Sequence, residues 1–230
     1  MLSAQAALAA FTSGDRDTIT QAVDHLGDVL LHQGALYKAT GPAALYVAAL
    51  LTDPASREAL IPAWEAGRHP LRAKLLGWLG AVAHAVSDAW EEEWKEIVGD
   101  RWASSALVRE IRAWRPAFFQ GVSACFADPD PAVREAAYAA AIPLLDAPEL
   151  LHHRAELIPV LRRELAASSE QGYRVAAIIG LQAWGEDTTD LAAHADFVEY
   201  ERRQKEWEEK LQAQAERFLH GPWVDDEPPF

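Results

Sequence analysis

Apolar residues recur at helical spacing along most of the chain. In residues 128–145, "DPDPAVREAAYAAAIPLL", Val133, Ala136, Ala137, Ala140, Ala141 and Leu144 fall on one helical face. Asp130 is placed to cap that helix, and Pro131 suits its first turn, where a missing N–H has no intrahelical partner. Forty residues on, Tyr173, Ala176, Ala177, Gly180, Leu181 and Trp184 hold the same offsets, and Arg174 stands where Arg134 stood. Small residues in mid-stripe allow a neighbouring helix to approach closely. Each helix has an apolar segment before it, "RPAFFQGVSACFAD" and "APELLHHRAELIPVLRREL". Residues of about 115–146 and 147–187 therefore read as two helical hairpins.

The first half reads similarly. "DRDTITQAVDHLGDVLLHQ" predicts an amphipathic helix with Ile19, Val23, Leu26 and Leu30 inward, and "TGPAALYVAALLTD" its return helix. "SREALIPAWEAG" and "HPLRAKLLGWLGAVAHAV" predict a second pair, with Leu71, Leu75, Trp78, Leu79 and Val82 on one face. His32-Gln33-Gly34 then ends the first helix, with Gly34 past its terminus in the left-handed conformation and His32 in the last turn. Tyr37 and Lys38 follow in a link open to contact. From about 191 to 219 one long helix is expected, with Tyr200, Trp207, Leu211 and Phe218 as a narrow seam. The last residues, "HGPWVDDEPPF", read as an extended tail.

The segment "DPDPAVREAA" resembles the turn and second helix of HEAT repeats, and "HQGALYKATGPAALYVAALL" is similar to a stretch of actinobacterial HEAT-repeat proteins. A period near forty residues with two helices per unit fits such repeats. The resemblance covers about residues 15–187 and is interrupted at about 87–114. It implies an all-α fold: a short right-handed α-solenoid of about four HEAT-like helical hairpins, with a long C-terminal capping helix. The expected division is a solenoid domain over 1–190, the capping helix over 191–219 and an acidic, Pro-rich tail over 220–230.

Charge narrows the function. With 21 Lys and Arg against 35 Asp and Glu, the net charge of −14 repels a phosphate backbone and suits a basic protein partner. Cys125, the single cysteine, lies in an apolar run and reads as a buried structural thiol. No apolar run of about 20 residues suggests a membrane span, and the N-terminus lacks a basic secretory n-region, so a cytoplasmic location is expected.

The sequence holds no Gly-rich phosphate loop, no Gly-x-Ser-x-Gly and no His-Glu-x-x-His. His152 and His153 are adjacent, and on a helix they would diverge too far to share a metal. No metal site and no cofactor is therefore expected. The expected function is a non-catalytic protein–protein interaction module, in a specific form an immunity or antitoxin-like protein that covers a toxin. The alternative is a helical-repeat enzyme acting on a nucleic acid or small molecule, as in DNA-glycosylase-like solenoids.

Second helices of such hairpins line the concave side, which points to Tyr46, Arg72, Arg134, Tyr138 and Arg174 as partner contacts. The interruption at 87–114 adds a second candidate surface. It concentrates Trp90, Trp94 and Trp102 beside Glu91, Glu92 and Glu96. Tryptophan is enriched at interface hot spots, and an acidic cluster steers a basic partner.

Overall fold

The computed structural model describes residues 4–11, 13, 15–32, 35–57, 59–63, 67–98, 105–192, 197–206 and 209–210. After α1 (Ala4–Ala10), Asp15 opens α2 (Arg16–His25) by accepting the Thr18 amide at 2.9 Å. Ile19 and Ala22 face inward, and the helix continues through a π turn, Leu26–Leu30. There the chain leaves helical geometry. Leu31–His32 (β1) pairs antiparallel with Ala35–Leu36 (β2). The Thr40 hydroxyl donates to the Leu30 carbonyl at 2.6 Å, so a terminal carbonyl is met by a side chain. His32 is therefore in a strand and not in the last turn of a helix, while Gln33 and Gly34 lie outside the described residues.

A second departure follows α3 (Thr40–Thr52) and the short 3₁₀ turn Pro54–Ser56. The segment expected as a helix, "SREALIPAWEAG", instead contributes Leu60–Ala63 (β3), paired antiparallel with Gly67–Pro70 (β4). Proline explains the difference. Pro62 and Pro70 have no amide to donate, and each disfavours helical geometry in the residue before it. Ile61, at 3 % exposure, and Pro70 are buried.

From Leu71 on, the described elements are helical: α4 (Leu71–His84), α5 (Asp88–Val98), α6 (Ala106–Ala113), α7 (Arg115–Ser123) and α8 (Pro131–Ala141). Two 3₁₀ turns, Ile142–Asp146 and Pro148–His153, lead into α9 (Arg154–Val160), a π turn Leu161–Leu165 and α10 (Gln171–Ala183). Helices distant in the chain pack on one another: α3 lies on α7, α4 on α8, and α8 on α10. Two glycines set the close approaches. A Cβ on Gly121 would stand 2.8 Å from the Ala48 Cα, and one on Gly80 would stand 3.0 Å from the Ala140 Cα. Such seams need small residues on both sides.

One core runs through this packing, from Phe11 and Leu26 through Leu51, Leu75 and Val82 to Phe118, Leu144 and Leu157. Ala137 and Ala177, on the small-residue stripes, are both fully buried. Trp78 joins the core while its indole N–H donates to the Leu26 carbonyl at 2.9 Å. Cys125 is buried in the turn after α7, with its Sγ 4.0 Å from the Leu51 carbonyl oxygen.

The chain divides into two units, Met1–Glu186 and Asp187–Phe230. In the second, α11 (Thr189–Ala192) and residues 197–206 and 209–210 are helical. Glu199 accepts from Arg202 and Arg203, and Arg202 also reaches Glu206. The remainder of the expected long helix, and the whole tail, lie outside the described residues. Among the described residues no helix is long and apolar enough to cross a membrane.

Candidate functional site

Two turns forty residues apart organise the surface of α8 and α10. In the first, the Asp130 amide donates to Asp128 Oδ1 at 3.0 Å, and Asp130 accepts the Ala132 amide at 2.9 Å. Arg134 closes the turn, its Nη1 donating to the carbonyls of Asp128 at 2.8 Å and Pro129 at 3.0 Å. In the second, the Glu170 amide donates to Ser168 Oγ at 3.1 Å, and Arg174 Nη1 donates to the Ser168 carbonyl. Arg134 and Arg174, expected as partner contacts, are half-buried and hold these turns.

Arg72, expected on the same face, is a correction. Its side chain is 3 % exposed and each of its three guanidinium nitrogens is bonded within the protein. Nη1 pairs with Asp128 Oδ2 at 3.1 Å, Nε donates to Ser56 Oγ at 2.9 Å, and Nη2 donates to the Asp53 carbonyl at 2.9 Å. Arg72 is the second residue of α4, directly after β4, and its side chain is turned inward. Tyr46 is half-buried against the core.

Tyr138 is also turned inward, at 8 % exposure, and there it forms part of a pocket. Phe119 and Ser123 come from the C-terminal half of α7, Phe126 from the following turn, and Tyr138 from α8. His153, Glu156, Leu157 and Val160 arrive from the last 3₁₀ turn and α9. Together they line a half-open hollow of about 330 Å³. The rings form a continuous lining, with centroids 4.6 Å apart for Phe119–His153, 6.1 Å for Phe119–Phe126 and 5.0 Å for Phe126–Tyr138. The Tyr138 hydroxyl donates to the Phe126 carbonyl at 3.0 Å. Burial raises the Tyr138 pKa above its usual value, so the hydroxyl keeps its proton and its donor role. At the rim, His153 Nδ1 is 3.5 Å from Glu156 Oε2, whose side chain is 74 % exposed. Pro159 removes an amide donor inside α9, and the π turn begins two residues later, beside Val160.

His152 and His153 do not diverge as expected. They sit in a 3₁₀ turn, and their ring centroids approach to 3.9 Å. Among the described residues no group of three or more His, Cys, Asp and Glu side chains could hold a metal ion.

The acidic, Trp-rich stretch is partly a structural joint. Arg112 on α6 donates to the carbonyls of Val86 at 2.8 Å and Ser87 at 3.2 Å, and its Nη1 pairs with Glu91 at 2.7 Å. Glu91 thus ties α5 to α6. Trp90 is half-buried, with its ring 5.2 Å from that of His84, and Glu92 is exposed. The side chains of Trp94 and Glu96, and all of Trp102, lie outside the described residues. Beneath the joint, Arg115 is 6 % exposed, and among the described residues its Nε and Nη1 have no hydrogen-bond partner. Burial first, then the Arg112 charge, lowers its pKa. Burial raises the pKa of Asp146, which accepts the Asp88 amide at 3.3 Å and pairs with Arg154 at 3.2 Å.

Of the pocket, sequence reasoning singled out only Tyr138 as a contact. A signal was present in Phe119 and Phe126, seven residues apart around "FFQGVSACF" and so near one helical face. No protein-family model, curated protein or solved structure matches the chain.

Proposed function

We propose that the chain is a non-catalytic protein-interaction module on a short HEAT-like α-solenoid. The observation that carries this reading is the aromatic-lined pocket between α7, α8 and α9. Aromatic side chains gathered in a concave site are the usual anchors of protein interfaces. Two features support the scaffold. The turns before α8 and α10 share one hydrogen-bond circuit at a forty-residue interval. Helices four elements apart also pack in parallel order, α3 on α7 and α4 on α8. The charge of −14 favours a basic partner, as an immunity-type protein covering a cationic toxin would require.

The test is affinity capture with the full chain as bait in the native host. Each captured protein is then purified and mixed with the chain for sedimentation analysis. A captured protein that forms a complex of defined stoichiometry is the expected result. If no captured protein forms one, the interaction reading is wrong.

A further inference from the structure

We infer that the α7–α8–α9 pocket receives one large apolar side chain of a partner, with a Lys or Arg beside it in the partner's sequence. This rests on the interaction reading above and adds the chemistry of the contact. A volume of about 330 Å³ is at the small end for ligand sites, which run from about 300 to 1,000 Å³. It is sized for a side chain or two and not for a large cofactor.

The lining decides what enters. Phe119, Phe126, Tyr138, Leu157 and Val160 offer mostly carbon. The one hydroxyl among those five already donates to a backbone carbonyl. A buried polar group entering there would lose water and find few partners, chiefly the acceptor lone pairs of the Tyr138 and Ser123 hydroxyls and the His153 ring at the rim. An aromatic cage for a quaternary ammonium is a different object. It needs ring faces set apart with the cation between them, whereas these rings touch one another at 4.6–6.1 Å between centroids. The pocket therefore selects Phe, Leu, Ile or Met.

The rim decides the neighbour. No Lys or Arg lines the pocket, and Glu156 projects there with most of its carboxylate side chain in water. An acidic residue next to the anchor would meet the Glu156 carboxylate; of the charges that act on Tyr138 from outside the lining, Glu164 outweighs either Arg134 or Arg163. A basic residue would find a carboxylate in reach, within a chain that is itself strongly acidic. An exposed pair of this kind changes affinity by about two- to fivefold.

The experiment uses the full chain with isotope-labelled methyl groups, read by NMR at Leu157 and Val160. The probes are N-acetyl-Phe-Lys-amide, N-acetyl-Phe-Glu-amide and tetramethylammonium chloride. The Phe-Lys probe is expected to shift both residues saturably and to bind about two- to fivefold tighter than Phe-Glu at low salt. That gap should close in about 1 M salt, where charges are screened beyond roughly 3 Å, and in Glu156→Gln. Val160→Arg, at a half-buried position, should abolish the shifts at Leu157 while circular dichroism stays unchanged. Equal affinity for the two peptides overturns the rim, and saturable binding of tetramethylammonium at the same methyls overturns the apolar anchor. A chain that ignores every probe yet forms a defined complex with a captured protein overturns this inference alone. A chain that binds the probes as expected supports the pocket even where no complex has been captured.

Discussion

The turns at 128–134 and 168–174 run the same backbone circuit and differ in the side chain that faces the preceding layer. In both, an arginine four residues into the helix, Arg134 or Arg174, donates to the carbonyl at the start of the turn. In both, an amide two residues on is met by the first side chain, Asp128 or Ser168. Yet Asp128 also neutralises the buried Arg72, while the Ser168 hydroxyl donates to Glu135 at 2.8 Å. The circuit repeats because turn geometry needs it. The first side chain of the turn varies because each turn meets a different neighbour: a buried cation in one case and a half-buried carboxylate in the other. A charge is placed at the turn where leaving the opposite charge alone would be most costly.

That comparison breaks most visibly at Asp128. Asp128→Ala should destabilise the protein by about 3–5 kcal/mol, since the Arg72 guanidinium would stay buried without its carboxylate. Ser168→Ala should cost less, about 1.5–3 kcal/mol, since its hydroxyl donates to the Glu135 carboxylate and accepts the Glu170 amide. Urea unfolding of the two variants measures the difference. Equal losses would show that the turns are equivalent and that the ion pair adds nothing. Replacing Arg72 and Asp128 together by apolar residues should recover much of the larger loss.

The helices after the turns should respond alike. Ala137→Phe and Ala177→Phe each force a ring into a fully buried seam, at about 1–3 kcal/mol apiece. Thermal melting checks this, and an unchanged midpoint at either position would place that residue outside the packing. A finer difference lies at the caps. Asp130 accepts the Ala132 amide, whereas Glu170 makes no side-chain cap. Asp130→Ala should cost about 0.5–2 kcal/mol, and Glu170→Ala less than about 0.5 kcal/mol. Equal costs would show that the caps are alike in solution.

The smallest effect sets exposed charge against the buried pair. Arg202 and Arg203 hold the Glu199 carboxyl at about 2, below its usual 4.5. A depressed acid stabilises the fold above the unfolded value and loses that contribution as pH falls through the folded one. Helix 197–206 should therefore weaken between about pH 4.5 and about pH 2. An NMR titration of the Glu199 side chain reads this directly. A midpoint near 4.5 would show that its arginine pairs do not form.

Much of the helical pattern was legible because it rests on local periodicity. Val133, Ala136, Ala137, Ala140 and Ala141 all face the interior, as their spacing required. Proline overruled that periodicity at Pro62 and Pro70, and the Thr40 hydroxyl did the work expected of a cap at Gly34. Arg72 was misplaced because a buried cation reads as a surface residue until its partner is known, and Asp128 lies 56 residues away. The pocket was largely illegible for a similar reason. Phe119, Tyr138 and Leu157 belong to three elements, and nothing in any one of them announces the others.

Cys125 gives the packing of α3 on α7 a clock of its own. Its sulfur is buried against the Leu51 carbonyl, and burial raises its pKa, so the reactive thiolate is scarce while the seam is shut. A thiol reagent can label it only in the intervals when the seam parts. With a single cysteine in the chain, every labelling event records one such opening. The labelling rate, followed through increasing denaturant, separates openings of this seam from unfolding of the whole unit.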